Sequence, residues 1–203
     1  MLNLKNTIVT FDALHTQLET INIITKQKGD YVGALKANQG NFVDEVKRYF
    51  TDKRLEKIKE KGTNYFTHQT EKAHNQIEIR EYFSVDVKNL YIEKVWKELK
   101  RVVCFKKNIY DNKSNTNKIE MRYYISSLTN LETIADSIRG HWGVENNLHW
   151  HLDHDFSEDD MMTMDKNAFN NFSILNKLAL NILKLSKPAF NGKSIRRIKN
   201  GFG

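Results

Sequence analysis

The sequence predicts an α/β fold with an antiparallel β block in its middle and helices at its end. Three observations support this class. Short β-branched runs alternate with helical spacing in the first third, alternating runs flank polar turns in the middle, and apolar residues recur at helical intervals in the last third. Within one domain of 203 residues, we expect a βαβα part at 1–62, a β-rich insertion at 63–128 and a helical part at 129–203.

The first part alternates strand and helix patterns. Thr7–Asp12 is a β-branched run typical of a buried strand, and Asp30–Lys36 is a second one. Between them, His15–Lys28 has apolar residues at helical spacing and is stopped by Gly29. A turn at Ala37–Asn41 precedes another helix pattern. This alternation predicts two parallel strands joined by a helical crossover.

After the alternating strand and helix patterns, the sequence contains a lysine-rich run and then a series of strand patterns. The lysine-rich run Lys53–Gly62 is most simply a solvated helix end. Gln76–Val85 alternates and predicts a strand that is exposed on one face. Arg101–Tyr110 and Lys118–Ser127 flank a polar turn, which indicates a β-hairpin. A short helix is expected around Val95–Leu99.

Two longer helices are expected in the last third. One runs from Asn130 to about Leu152, and Gly140 and Gly143 weaken it. The other covers Lys166–Ser186, with Pro188 beyond its end. Its apolar face is predicted to consist of Phe169, Phe172, Leu175, Ala179, Ile182 and Leu183.

Glu145 falls inside the apolar stripe of the first of these helices. At 100° per residue, its neighbours on that side are Ile134, Ile138, Trp142, Leu148 and Leu152. A carboxylate in such a stripe requires compensation. Coordination of a metal ion and a salt bridge to a buried cation are two possibilities, and a bend at Gly143 that turns the side chain outward is a third.

Asp12 stands at the end of the first predicted strand. A carboxylate at the C-terminal end of a parallel strand points into the crevice where such sheets bind ligands. An N-cap for the following helix is the alternative interpretation. If Asp12 and Glu145 meet, they can hold a hard divalent cation such as Mg²⁺. Two such ions activate a water or hydroxyl and stabilise a leaving oxygen in phosphodiester transfer.

Polar residues near both carboxylates are further candidates. Lys36, Asn38 and Gln39 follow the second strand on the same edge as Asp12, and they are candidates for DNA phosphate contacts or for support of the carboxylate. Ordinary surface residues are the alternative. The acidic run beyond the Glu145 helix is expected to be a solvated loop: Asp153, Asp155, Glu158, Asp159 and Asp160.

His141, Glu145 and His149 recur at four-residue intervals and therefore share one helix face. This spacing admits a zinc site, although it is not the H-E-x-x-H arrangement. Support of the carboxylate or contact with a DNA phosphate is the alternative interpretation for His141.

The composition limits the compartment and the partners. The net charge of +7 favours an anionic partner. A single cysteine, Cys104, excludes an internal disulfide framework and fits a reducing cytoplasm. We find no signal peptide pattern and no stretch apolar enough to span a bilayer. We therefore expect a cytoplasmic protein without a membrane partner.

Four segments carry a resemblance to a known family. They are VTFDALHTQ (Val9–Gln17), GDYVGALKANQGN (Gly29–Asn41), RYYISSL (Arg122–Leu128) and HWGVENNLHWHLDHDFSED (His141–Asp159). In this order along nearly the whole chain, they strongly resemble transposases of the ISAs, or H-repeat-associated, insertion-sequence group. The resemblance implies an RNase H-like fold with a D-D-E triad and a β-rich insertion before the Glu helix.

The resemblance also implies a chemistry. Such enzymes cleave and join DNA at transposon ends with Mg²⁺ or Mn²⁺, first by attack of water and then by attack of the freed 3′-hydroxyl on target DNA. The second Asp of the family lies in its V-T-x-D-A motif and corresponds to Asp12. The Glu of its H-W-x-x-E-N motif corresponds to Glu145.

This chain departs from the family pattern in two places. No aspartate precedes Asp12, so the first catalytic Asp of the family has no counterpart. Met161–Met164 stand where relatives carry basic residues. We therefore expect an N-terminally truncated transposase with an incomplete RNase H-like fold, an incomplete two-ion site and no activity alone. Its first strand, Thr7–Asp12, would become a sheet edge.

Two other functions stay open. One is a non-catalytic DNA-binding or regulatory remnant that docks on DNA or on full-length transposase, or that forms a homo-oligomer. The other is a zinc hydrolase that uses His141, Glu145 and His149.

Overall fold

A computed structural model describes most of the chain. It covers residues 3–72, 76–92, 96–111, 115–144, 148, 150–158, 160–161 and 165–185, with the backbone alone at 69–72, 76, 166 and 184. The chain divides into two compact units, Met1–Arg139 and Gly140–Gly203. Among the described helices, none is both long and apolar enough to cross a membrane.

The first unit is built on one six-stranded sheet. Its strands are β1 (Ile8–Phe11), β2 (Asp30–Leu35), β3 (Tyr65–Lys72), β4 (Gln76–Asp86), β5 (Arg101–Asp111) and β6 (Thr116–Ser126), in the spatial order β1-β2-β6-β5-β4-β3. β1 and β2 are parallel, and every other pair of neighbours is antiparallel. The predicted mixed α/β class, the parallel pair and the hairpin are thus confirmed.

The antiparallel strands extend the same sheet as the parallel pair. β6 pairs directly with β2, with Val32 opposite Ser126. The structure adds β3, which the sequence pattern did not predict because its residues are mostly polar. β1 is an edge strand of this sheet, as the sequence predicted.

Three helices supply the core on one face of the sheet. They are α1 (Leu18–Lys26), α2 (Asn41–Tyr49) and α3 (Asp52–Lys61). Their buried residues recur at helical spacing, because one side of each helix packs on the sheet. The core combines helix and strand residues, including Phe11, Ile21, Tyr31, Phe42, Val46, Leu55, Phe83 and Ile125.

The lysine-rich run forms a helix of its own rather than the end of the preceding one. α3 buries Leu55 and ends at Gly62, whose φ of 65° lies in the left-handed region that glycine adopts most easily. The helix expected around Val95–Leu99 is wrong for the described residues 96–99, which form a turn with a hydrogen bond from the Leu99 N–H to the Trp96 carbonyl oxygen.

The prediction that β4 is exposed on one face is wrong. Tyr82 and Ser84 on one face and Glu81 and Phe83 on the other are all buried. α4 (Leu131–Val144) carries Asp136 and Arg139, whose charges act on the Tyr82 hydroxyl. Burial is the main reason that the pKa of Tyr82 is raised to about 12.

Among its described residues, the second unit contains two further helices, α5 (Trp150–His154) and α6 (Lys166–Leu185), which pack against each other. The predicted helix from Asn130 to Leu152 is therefore represented by α4 and α5, while residues 145–147 and 149 lie outside the described residues. Of the predicted apolar face of α6, Phe169, Phe172, Leu175 and Ile182 are exposed. The described buried residues of α6, Ser173 and Leu180, are not part of that face.

Candidate functional site

Asp12 is exposed and follows directly after β1, in a short loop that leads to α1. One of its carboxylate oxygens, Oδ1, accepts a hydrogen bond from the His15 N–H at 3.2 Å. Within the described part of the chain, its other oxygen accepts none. The N-cap residue of α1 is Gln17, so the interpretation of Asp12 as the N-cap of that helix is wrong.

The loop after β1 is fastened by two amide side chains from the turn after β2. Asn38 Nδ2 donates to the Ala13 carbonyl oxygen at 2.7 Å. Gln39 Nε2 donates to the same oxygen at 2.9 Å and lies 3.2 Å from the Thr16 carbonyl oxygen. Gln39 Oε1 in turn accepts from the Lys36 N–H at 2.9 Å. We call Asn38 and Gln39 the amide clamp.

A third contact joins this loop to β2. The Thr16 hydroxyl lies 2.6 Å from the Ala34 carbonyl oxygen and 3.0 Å from the Asp12 carbonyl oxygen. Both Ala13 and Thr16 are buried. Because these buried groups are fully engaged, the backbone on either side of the Asp12 carboxylate is fixed relative to the sheet.

Close packing of β1 on β2 depends on a glycine. Phe11 is opposite Gly33 in the parallel register. A Cβ at Gly33 would lie 3.0 Å from Phe11 Cζ and 3.1 Å from Thr16 Oγ1, and closer still to Phe11 Cε2. Only glycine leaves room there for the aromatic ring and the hydroxyl. The residue before Asp12 is thereby seated in the core.

A cavity of about 910 Å³ opens beside the loop. Thr16 and the amide clamp form part of its wall, and the starts of α1 and α2 form another part. Arg48 and the largely exposed Tyr91 also line it. Glu19 and Glu45 line it as well, and Arg48 Nη1 lies 3.8 Å from Glu45 Oε2. The Asp12 loop therefore borders a space with cationic, acidic, amide and aromatic groups.

The structure describes the other predicted site residues unevenly. Lys36 is exposed. His141 lies half-buried in the last turn of α4. Glu145 and His149 lie outside the described residues, so the pairing of Asp12 with Glu145 and the zinc alternative stay predictions. Across the described positions, no group of three or more His, Cys, Asp or Glu is arranged to hold a metal ion.

The acidic run contains a buried carboxylate, so the solvated-loop prediction is wrong for Asp155. This carboxylate lies 2.6 Å from His151 Nδ1 and 3.0 Å from His154 Nδ1. Burial acts to raise the pKa of Asp155, but the hydrogen bonds from both imidazoles outweigh it and the pKa is lowered. The four-residue spacing from His151 was the sequence signal for this pair.

Trp150 contributes to the same cluster. Its ring stacks on His154 with a centroid distance of 4.4 Å and an interplanar angle of 12°. Asp153 is exposed as predicted but lies in α5 rather than in a loop, and Glu158 is half-buried. α5 therefore presents an aromatic and imidazole cluster around one buried carboxylate.

Two buried carboxylates in the sheet are compensated by their neighbours. Glu81 Oε1 accepts from Lys59 Nζ at 2.6 Å and from the Tyr65 hydroxyl at 2.9 Å, and Glu81 Oε2 accepts from Asn108 Nδ2 at 3.2 Å. Glu78 forms ion pairs with Arg80 and with Lys107. These partners compensate the buried charges, whereas Asp12 is exposed.

Comparisons with known proteins identify relatives of this chain. It matches the family described as "Transposase DDE domain" over residues 1–182. It is 37% identical to "Putative protein YbfL" and 36% identical to "H repeat-associated putative transposase YhhI", both of Escherichia coli (strain K12), over 193 residues that make up 92% of this chain and 50% of each relative. "Putative transposase YncI" of Escherichia coli O157:H7 is 29% identical over 202 residues, 98% of this chain and 51% of that relative.

The chain spans about half the length of the curated relatives it matches. No solved structure gives a significant match to it. The matched residues 1–182 include every segment on which the sequence resemblance rests, from Val9–Gln17 to His141–Asp159. The chain therefore belongs to the DDE transposase family, in the group of the H-repeat-associated transposases.

Proposed function

We propose that this chain supplies Asp12 and Glu145 to an active site that cleaves and joins DNA at the ends of an insertion sequence. The observation that carries the proposal is the geometry of Asp12. It follows the parallel strand β1, it is exposed, and the amide clamp holds its loop while one carboxylate oxygen accepts no hydrogen bond from the described residues. Such an oxygen is a suitable ligand for a hard cation.

The residues fit the divalent cation that the family uses. Asp12 and Glu145 would hold Mg²⁺ or Mn²⁺ through carboxylate oxygens, which are the donors that these ions prefer. When bound, the metal activates a water or hydroxyl and stabilises negative charge on the leaving oxygen. The task of this chain's own groups is positional: the clamp and the Thr16 hydroxyl fix the backbone that carries Asp12.

We further propose that the sheet is the RNase H-like sheet of the family. A parallel pair at one edge followed by antiparallel strands supports this assignment. The family triad also includes a first Asp, and no aspartate precedes Asp12 in these 203 residues. We therefore expect the 203 residues alone to bind DNA without cleaving it.

We propose that DNA approaches the face that carries Asp12 and the neighbouring cavity. Lys36 is exposed at the end of β2, and the net charge of +7 supports binding to a polyanion. Arg48 also lines the cavity, where it is paired with Glu45. His141 is a further candidate for a phosphate contact. Unlike Lys36, the amide clamp has its donors engaged by backbone carbonyls, so we assign Asn38 and Gln39 to support of the loop.

A regulatory remnant is the second candidate function. The same net positive charge supports it, because DNA binding by phosphate contacts requires no metal site. Such a remnant would occupy transposon ends, or dock on a full-length transposase, without performing the reaction.

Measurements of DNA binding and of DNA cleavage distinguish the two candidate functions. The experiment uses end-labelled duplexes that carry the terminal repeats flanking the gene, with gel shifts at about 50 and 200 mM salt and cleavage assays with Mg²⁺. We expect salt-sensitive binding without cleavage for the 203 residues, and cleavage once a polypeptide covering the unmatched part of YhhI is added. Absence of cleavage in that mixture supports the regulatory remnant.

Substitutions test the roles proposed for Lys36, Asp12 and Glu145. Lys36→Ala should weaken the shift, whereas Lys26→Ala, at the far end of α1, should leave it unchanged. Asp12→Asn should abolish cleavage in the mixture and reduce Mn²⁺ binding measured by electron paramagnetic resonance, with Asp52→Asn as the matched control. Cleavage by the 203 residues alone that is lost in Glu145→Gln would contradict the expected inactivity. Absence of any DNA binding would contradict both functions.

A further inference from the structure

The cavity beside the Asp12 loop contains groups that the proposed reaction does not use. Its volume of about 910 Å³ lies within the range of sites that bind small ligands. The described residues that line it, from Thr16 to Trp96, all belong to the first compact unit. Its walls are therefore defined by one unit alone, and the groups in them indicate what it binds.

The indole of Trp96 brings a buried donor to the cavity wall. Only 9% of the Trp96 surface is exposed, and its Nε1–H has no acceptor among the described residues. A buried N–H without an acceptor costs free energy, because it has lost its hydrogen bonds with water. A ligand that accepts a hydrogen bond in the cavity would satisfy this group.

Two helices begin at the same cavity. Their first turns line it, through residues that include Glu19 of α1 and Phe42 of α2. Within the described part of the chain, neither N-cap residue, Gln17 or Gly40, makes a side-chain cap hydrogen bond. Since the first N–H groups of a helix have no partner inside it, both helix starts offer backbone donors to a ligand. Their positive dipole ends also disfavour a cation.

The charged side chains in the wall disfavour an anion. Among the described lining residues they are Glu19, Glu45 and Arg48, so two carboxylates stand against one guanidinium. The guanidinium is already engaged, because Arg48 Nη1 lies 3.8 Å from Glu45 Oε2. The cavity is therefore suited to a neutral ligand that carries both hydrogen-bond acceptors and donors.

Aromatic side chains make the cavity suitable for a flat ligand. The Trp96 and Phe42 rings pack with a centroid distance of 5.8 Å and an interplanar angle of 37°. Tyr91 lines the cavity with 79% of its surface exposed, so its ring is available for stacking. Stacking on an aromatic side chain is a main source of binding free energy for an unpaired nucleobase, because every base has a π-face.

We propose that this cavity is a binding site for a single unpaired nucleobase. A nucleobase is flat, uncharged and aromatic, and its edges carry both acceptors and donors. An acceptor on the base receives the Trp96 Nε1–H, the ring stacks on Tyr91, and the exocyclic donors face Glu19 and Glu45. A sugar lacks the aromatic face, and a phosphate group has the wrong charge for this wall.

An unpaired base of bound DNA and a free nucleoside share this chemistry. The cavity adjoins the Asp12 loop, because Asn38 and Gln39 line it while they donate to the Ala13 carbonyl oxygen. A base in the cavity therefore lies beside the backbone that carries Asp12, and we expect DNA to be its source. The inference goes beyond the proposed function, since it assigns a ligand to Tyr91 and Trp96.

NMR of the tryptophan indole N–H groups in the full 203-residue chain tests the site. Titration with adenosine and with thymidine should move the Trp96 resonance downfield, as a new hydrogen bond does, and leave that of Trp150 unchanged. Trp96→Phe removes one resonance and thereby assigns it. Ribose and inorganic phosphate are the control ligands. Absence of a shift with both nucleosides, or an equal shift with ribose or phosphate, would overturn the inference.

Two DNA duplexes separate the sources of the base. One is fully paired, and the other is the same duplex with one extra unpaired nucleotide. A Trp96 shift with the second duplex alone assigns the site to DNA, whereas a shift with nucleosides and with neither duplex assigns it to a free nucleoside. An equal shift with both duplexes contradicts selection of an unpaired base. Gel shifts of the fully paired duplex report the proposed DNA-binding function separately.

Substitutions test the contacts in the cavity. Tyr91→Ala should weaken nucleoside binding at least about fivefold, because it removes the exposed stacking ring. Tyr110→Ala removes an exposed tyrosine of β5 that does not line the cavity, and it should leave binding unchanged. Trp96→Phe keeps an aromatic ring without the donor and should also weaken binding. Circular dichroism of each variant should match the wild type. Wild-type affinity in both Tyr91→Ala and Trp96→Phe would overturn the inference.

Discussion

Asn38 Nδ2 lies 2.7 Å from the carbonyl oxygen of Ala13, the residue that follows Asp12. This hydrogen bond connects the turn after β2 to the loop after β1 across 25 residues of sequence. It also uses a donor that could otherwise face a DNA phosphate. The contact therefore supports a positional role for Asn38 within the proposed active site.

Loss of the clamp should loosen the Asp12 loop. Gln39→Ala removes the donor to the Ala13 and Thr16 carbonyls and the acceptor for the Lys36 N–H. We expect about 1 to 3 kcal/mol lower free energy of unfolding. Faster amide hydrogen exchange at Thr16 and Gln17 would report the local effect.

Asn38→Ala should have a smaller effect of the same kind, because Gln39 still donates to Ala13. Asn22→Ala, on an exposed position of α1, is the control and should leave exchange in the loop unchanged. Equal exchange rates in Gln39→Ala and in the wild type would contradict the assigned role of the clamp.

Gly33→Ala should destabilise the sheet at the site. The new methyl group would overlap the Phe11 ring, and we expect a cost of about 1 to 3 kcal/mol measured by urea denaturation. The matched control is Gly140→Ala in α4, where a Cβ meets open space. That substitution should stabilise by about 0.5 to 1 kcal/mol, since alanine favours a helix interior. Equal effects at both positions would argue against the close packing of Phe11 on Gly33.

Glu81 should make stability depend on pH. Burial opposes the charged form, but the hydrogen bonds from Lys59 and Tyr65 outweigh it, so the pKa of Glu81 is lowered. A lowered carboxyl pKa contributes stability above the unfolded pKa of about 4.3, and that stability is lost as the pH falls through the folded pKa. Urea titrations between pH 7 and pH 3 should show this loss.

Removal of the Glu81 carboxylate tests its contribution at neutral pH. Glu81→Ala leaves the Tyr65 hydroxyl and the Asn108 amide without their acceptor, and we expect a loss of about 2 to 4 kcal/mol at pH 7. Glu56→Ala, on the exposed side of α3, should change stability by less than about 0.5 kcal/mol. A stability of Glu81→Ala equal to that of the control variant would show that the network contributes nothing.

Asp155 should show the same direction of pH dependence in the second unit. Its lowered pKa means that the contacts with His151 and His154 favour the folded state above the unfolded carboxyl pKa of about 3.9. As the pH falls through the folded pKa, this stabilisation is lost. Hydrogen exchange of the Asp155 and Phe156 amides, compared between pH 6 and acidic conditions after correction for intrinsic rates, measures it. Asp155→Asn should remove the dependence, whereas Asp153→Asn should retain it.

The local elements and the position of Asp12 could be predicted from the sequence alone. Periodicity of two or 3.6 residues is a local property, and it located β1, β2, the β5–β6 hairpin and α6 to within a few residues. Each of the four segments that resemble the transposase family is likewise one continuous stretch of sequence. The resemblance therefore identified the transposase group before any tertiary contact was known.

Only the tertiary structure decided which distant backbones meet. It placed β6 beside β2 and buried both faces of β4. It also directed the amide clamp to Ala13, 25 residues earlier in sequence for Asn38. A hydrogen bond or a buried face depends on which atoms lie opposite a residue in the folded chain. Those atoms come from elements that are far apart in sequence, so the local sequence pattern does not identify them.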